Sequence, residues 1–146
     1  MNMISKSATA GILLLALSLT GCGKSDLPDI GRVSGTVTQD GKPVADAVLT
    51  FQPEGARPSY ARTDEDGYYE VEYTKGVLGA TIGNHRVSIS KLQSSGEQGG
   101  YGAGASKETL PAKYNLRTTL SYDVKPGKNK ADFNLDSEGE VIQVRN

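Results

Sequence analysis

The run Arg32-Val33-Ser34-Gly35-Thr36-Val37-Thr38, followed by Gln39-Asp40-Gly41-Lys42-Pro43, decides how the chain is read. Val33, Gly35 and Val37 share one side of a period of two, and β-branched residues dominate the stretch, so it reads as a half-buried strand. Asp40-Gly41 is the dipeptide that suits a tight hairpin turn, and Pro43, which has no amide proton, stops the ladder beyond it. The same alternation recurs along the chain. Residues 44–52 (VADAVLTFQ) set Ala47, Leu49 and Phe51 on one face and end at Pro53, and residues 60–63 are a shorter stretch of the same kind. Residues 68–73 (YYEVEY) set Tyr69, Val71 and Tyr73 opposite Glu70 and Glu72. Residues 85–90 align His85, Val87 and Ile89; residues 119–124 align Leu120, Tyr122 and Val124; and Ala131, Phe133 and Leu135 alternate with Asp132 and Asn134. Turns at Asp64-Glu65-Asp66-Gly67 and Pro126-Gly127-Lys128-Asn129 separate these runs. The pattern predicts an all-β fold, an antiparallel β-sandwich of about seven strands with Greek-key links.

Composition narrows the function. Of 146 residues, 16 are Lys or Arg and 17 Asp or Glu, a net charge of -1 without the basic excess that nucleic-acid binding needs. One His and one Cys provide neither the four ligands of a structural zinc site nor a disulfide within the chain. A zinc peptidase needs two His and a carboxylate, and only His85 is present. The chain is therefore expected to be no enzyme and to carry no cofactor or metal. The Asp64 to Gly67 turn offers carboxylates to Ca²⁺ but lacks the remaining ligand positions of a calcium loop, so it reads as an acidic β-turn. Gly102-Ala103-Gly104-Ala105-Ser106-Lys107 has no strand-to-helix context and reads as a loop instead of a phosphate cradle.

The N-terminus carries the strongest functional signal. Lys6 is the sole charge before Lys24, and residues 10–19 (AGILLLALSL) form a compact apolar run, too short for the roughly 20 residues of a membrane-spanning helix. It reads as the helical core of a signal peptide. Its end, Leu19-Thr20-Gly21-Cys22, resembles the lipobox of bacterial lipoproteins, in which small residues enter a peptidase groove and the Cys thiol receives a diacylglyceryl group. The resemblance implies cleavage after Gly21 and acylation of Cys22, with membrane lipid as the partner. Gly23, where Asp commonly retains such proteins at the inner membrane, implies outer-membrane destination.

The folded part carries a second resemblance. Val33-Ser34-Gly35-Thr36-Val37, then Asp40-Gly41-Lys42-Pro43-Val44 continuing through Ala47-Val48-Leu49 to Phe51, then Thr63-Asp64-Glu65-Asp66-Gly67-Tyr68-Tyr69 resemble carboxypeptidase regulatory-like domains, which are transthyretin-like sandwiches. The match continues loosely at Gly83 to Ile89, with His85 at the usual aromatic position. With the lipobox, Pro111 to Asn115 and the Pro126 to Asn129 turn, the layout is similar to small lipoproteins of planctomycete bacteria. The resemblance implies structural or binding roles, not catalysis.

The expected organisation is a signal peptide at 1–21, a polar spacer at 22–31, the sandwich at 32–135 with a mobile glycine-rich loop at 92–113, and a charged tail at 136–146 in which 141–144 adds an edge strand. The expected function is a lipid-anchored, non-catalytic structural or protein-interaction module of the cell envelope. The alternative is a binding module for glycan, peptide or metal, using the 54–62 loop, the acidic turn and the glycine-rich loop.

Overall fold

The computed structural model describes residues 27–94 and 106–143. The expected leader helix, Cys22 and the tip of the glycine-rich segment lie outside these residues. Strands follow in chain order as β1 (Ile30–Gln39), β2 (Lys42–Pro43), β3 (Val48–Pro53), β4 (Ser59–Arg62), β5 (Tyr68–Glu70), β6 (Glu72–Thr74) and β7 (Val77–Leu78). They continue as β8 (Ala80–Thr81), β9 (Gly83–Ser90), β10 (Leu92–Ser94), β11 (Ser106–Glu108), β12 (Ser121–Val124), β13 (Gly127–Lys130) and β14 (Phe133–Leu135). A single 3-10 turn, Ala112–Tyr114, interrupts them among the described residues. Each of the seven runs read as a strand contains one, so the chain is an all-β sandwich.

Two sheets of six strands each face one another, with β10 and β11 as a separate antiparallel hairpin. The first sheet is organised on β1, which starts two residues earlier than the spacer boundary allowed. Along one edge β1 meets β8, β5 and β2 in turn, all antiparallel. Along its other edge it meets β13 and then β14, both parallel. The second sheet runs β12-β9-β3-β4-β6-β7 and is antiparallel throughout.

The parallel pairing departs from the antiparallel expectation and has a simple cause. The turn after β12 is not a hairpin within one sheet. It carries the chain from the β9 edge over to the β1 edge, where β13 runs the same way as β1 because both leave the same pole of the sandwich. A second crossing splits residues 68–73. β5 pairs with β1 while β6 pairs with β4, and the corner residue Val71 is fully buried. Its amide donates to the Val33 carbonyl at 2.9 Å and its carbonyl accepts from Gly79 at 2.7 Å, so no backbone group is lost at the corner.

The core lies between the sheets. Val33, Val37, Tyr69, Phe133 and Leu135 face Leu49, Phe51, Val87, Ile89 and Val124, all buried. Phe51 is the hub: its ring centroid lies 6.3 Å from those of both Tyr69 and Phe133. Each such side chain taken from water is worth about 1.5–3 kcal/mol.

Gly35 determines how this core closes. It pairs with Tyr69 across the β1/β5 ladder, and a Cβ at Gly35 would sit 2.0 Å from the Ala131 carbonyl oxygen. The missing side chain lets the chain between β13 and β14 press against β1, and the Tyr69 hydroxyl donates to that same Ala131 carbonyl. Burial, followed by the nearby Asp132 carboxylate, pushes the Tyr69 hydroxyl far above its ordinary pKa, so it stays a donor. Gly67 closes the acidic turn with φ of 74° and its carbonyl accepts from the Val37 amide at 2.8 Å.

The segment at 92–113, read as a mobile loop, is ordered wherever it is described. Glu108 is the reason. Its carboxylate is buried and accepts from the amides of Lys91, Thr109 and Leu110 at 3.0, 2.9 and 2.9 Å, and from the Ser90 hydroxyl. Leu110, Ala112 and Tyr114 then pack as buried residues. The tail joins this corner, and over 141–143, the described part of the edge strand expected at 141–144, no strand forms. Instead the Gln143 side-chain amide donates to the Glu108 carbonyl at 3.0 Å and accepts from the Glu108 amide at 2.9 Å, completing with a side chain what a strand would have supplied.

Candidate functional site

The pole where β1 begins is assembled from four connections. The Asp29 carbonyl accepts from the Ile82 amide at 3.0 Å, Ile30 pairs with Thr81, and Gly31 pairs with both Ala80 and Gly127. Asn129 organises the turn beside them: its side chain accepts from the Lys125 amide at 2.9 Å and donates to the carbonyls of Lys125 at 2.8 Å and Arg32 at 3.1 Å. This locks residues 125–128 onto the start of β1.

Arg32 and Lys128 are register partners across the parallel β1/β13 pair, so both project to the outer side of the sheet. They border an open hollow of about 210 Å³ completed by Ser34, Glu70, Leu78 and Asn129. Neither cation makes an ion pair among the described residues. Lys75 and Arg57 extend from loops at the same pole, Arg57 lying over the Tyr73 ring at 5.3 Å. Leu27 and Ile82 stand out from this pole 45% and 41% exposed.

The opposite pole has the reverse character. Its acidic turn is closed by Asp64, whose carboxylate accepts from the amides of Asp66 at 3.0 Å and Tyr68 at 2.9 Å. Asp136 pairs with Lys113 at 2.5 Å, and that hydrogen bond holds the Asp136 carboxyl below its ordinary range and the Lys113 ammonium above its own. Between the poles, Asp132 bridges β1 and the last strands. It accepts from the Thr36 amide at 3.0 Å and hydroxyl at 3.2 Å, and Lys130 at 2.9 Å holds its carboxyl below the usual range.

Of the residues singled out in the sequence, Cys22 lies outside the described residues. His85 is fully buried. Its Nε2 donates to the Thr81 carbonyl at 2.7 Å, and its ring meets Phe51 edge-on at 6.1 Å. Its Nδ1 has no hydrogen-bond partner among the described residues. Of the three loops weighed as one binding surface, the tip of the glycine-rich one lies outside the described residues, and the 54–62 loop begins at the other pole from the acidic turn. Residues 54–58 follow Pro53, which pairs with His85 near the β1 start, whereas the acidic turn contacts Val37 near the β1 end. No cluster of three or more His, Cys, Asp or Glu side chains arranged for a metal occurs among the described residues.

The Arg32–Lys128 hollow escaped the sequence reading because these two residues are 96 positions apart and meet through a parallel pairing that no local signal announces. No known protein family and no curated protein matches the chain.

Proposed function

We propose that the chain is an exported, lipid-anchored protein of the cell envelope whose β-sandwich is a non-catalytic structural or protein-interaction module. One observation carries the reading: the apolar run at 10–19 ends in Leu19-Thr20-Gly21-Cys22, and this Cys is the sole thiol of the chain. Acylation of Cys22 after removal of residues 1–21 would leave a diacylglyceryl group on sulfur and a freed amine for a further acyl chain. Two or more chains hold a protein stably, since each buried CH₂ contributes about 0.8 kcal/mol. The spacing suits the reading, because β1 starts only eight residues beyond Cys22. Gly23 in place of Asp favours the outer membrane over the inner.

The non-catalytic reading draws on His85, the sole imidazole, which is sealed in the core beside Phe51. Fractionation of cells expressing the full chain tests the anchor. Wild-type protein is expected in the membrane pellet and Cys22→Ser in the soluble fraction or as an unprocessed precursor. Equal pelleting and equal processing of the two would refute it.

A further inference from the structure

We infer that the domain docks on the membrane through the pole where β1 begins, with an anionic phospholipid surface as the partner. The inference rests on the anchoring reading above and adds which face of the sandwich meets the lipid.

Three observations converge on this pole. The first is reach: eight residues from Cys22 to Ile30 span at most about 29 Å, so the start of β1 is the part of the sandwich held nearest the bilayer. β1 itself, ten residues in length, carries the opposite pole roughly 30 Å further away. Surface fields decay over about 8 Å at physiological salt, so in an upright sandwich whose β1 start rests on the lipid the distant pole lies outside them.

The second observation is the distribution of charge. Arg32, Arg57, Lys75 and Lys128 are exposed at this pole and lack ion-pair partners among the described residues, while Lys125 is paired with Asp123. Asp29, Glu54, Glu70 and Glu72 are the carboxylates there, Glu70 lining the Arg32–Lys128 hollow and Glu72 accepting from the Gly76 amide, so this pole is close to neutral. The distant pole carries Asp64, Glu65, Asp66, Asp136, Glu138 and Glu140, and two of its cations, Lys113 and Arg117, are engaged by Asp136 and Glu140. An anionic surface therefore repels the acidic distant pole but not the near-neutral tethered one, whose Arg32 and Lys128 are free of ion pairs among the described residues, and this difference orients the sandwich upright.

The third is apolar. Leu27 and Ile82 project from the tethered pole, and Ile82 is fixed there by the bond of its amide to Asp29. Aliphatic side chains flanked by Lys and Arg are the composition that settles at the headgroup boundary. The Arg32–Lys128 hollow opens on the flank of the same pole, where a headgroup phosphate meets two cations beside the single carboxylate of Glu70.

Lysine footprinting of the intact, membrane-extracted protein tests this. The protein is reconstituted into vesicles of phosphatidylcholine alone or with phosphatidylglycerol, exposed to a membrane-impermeant acylating reagent, and digested for mass analysis. On phosphatidylglycerol, Lys75 and Lys128 are expected to label about fivefold more slowly, the preference that roughly one surface cation confers, while Lys42 at the distant pole is unchanged. In the Arg32→Glu/Arg57→Glu variant the shielding of Lys75 and Lys128 is expected to vanish although the N-terminal peptide still carries its acyl chains. Equal labelling on the two vesicles by an acylated protein, or shielding of Lys42 instead, overturns the orientation and leaves the anchor standing. A free thiol on the N-terminal peptide overturns the anchor and this inference together.

Discussion

Two parts of the molecule hold chain segments together by opposite means. At the Gly35 seam, β1, β5 and the run from β13 to β14 close on one another because a side chain is absent, leaving room for Ala131 on the edge of β1 and for the Tyr69 hydroxyl to cap its carbonyl. At the Glu108 corner, β11 and the end of β9 are joined because a side chain is present, a buried carboxylate with four donors, and the C-terminal tail is added by the Gln143 side chain on the Glu108 backbone. The seam is sealed by shape and tolerates no added atom. The corner is sealed by polarity and tolerates no lost acceptor.

The sharpest way to break this contrast is Gly35→Ala. Its methyl would have to occupy space 2.0 Å from a backbone oxygen that cannot rotate away, so the substitution is expected to cost about 3 kcal/mol or more and to shift the urea midpoint accordingly. A midpoint within experimental error of wild type would show that the seam is loose. Next in size is Glu108→Ala, which strands the Lys91 and Leu110 amides and the Ser90 hydroxyl while the Thr109 amide keeps the Lys91 carbonyl at 3.1 Å, and is expected to cost about 2–3 kcal/mol. Glu108→Gln keeps one carbonyl oxygen for those amides and should recover most of that loss, a difference that pure volume would not produce.

Tyr69→Phe tests whether the seam has any polar component. It removes one buried hydroxyl and leaves the Ala131 carbonyl unpaired at a cost of about 1–2 kcal/mol, with the ring still packed on Phe51. The smallest effect is that of pH at Asp132. Its native carboxyl titrates below its ordinary value because of Lys130 first and Thr36 second. The stability it contributes is present above the ordinary Asp range and is lost as pH falls through the lower native value. The carboxylate is a third exposed, so solvent and salt screen this term. An acid titration of wild type against Asp132→Asn is expected to show the two curves converging as pH drops, and a gap that widens instead would contradict the assignment.

The contrast also explains what was legible. Strand alternation is a local record of burial, and the inward residues of β1, β3, β9 and β14 could be read directly from it, as could the Asp40-Gly41 turn, where both residues take positive φ. The corner at Val71 could not, because the alternation of Tyr69, Val71 and Tyr73 continues undisturbed while the backbone changes sheets. The parallel pairing of β1 with β13 was hidden behind a turn with an ordinary hairpin composition. Residues 106–113 were missed because Glu108 orders them through partners up to 35 positions away, and a glycine-rich stretch beside them dominated the composition. The Arg32–Lys128 hollow depends on the same long-range pairings, whereas the proposed export signal and Cys22 rest on a motif that is purely local in sequence.

The most direct measurement is the intact mass of the N-terminal peptide from protein purified out of membranes. The anchored reading expects a peptide that starts at Cys22 and carries the mass of a diacylglyceryl group, with or without an additional acyl chain on its amine. A peptide with a free Cys22 thiol, or one still bearing residues 1–21, would contradict it.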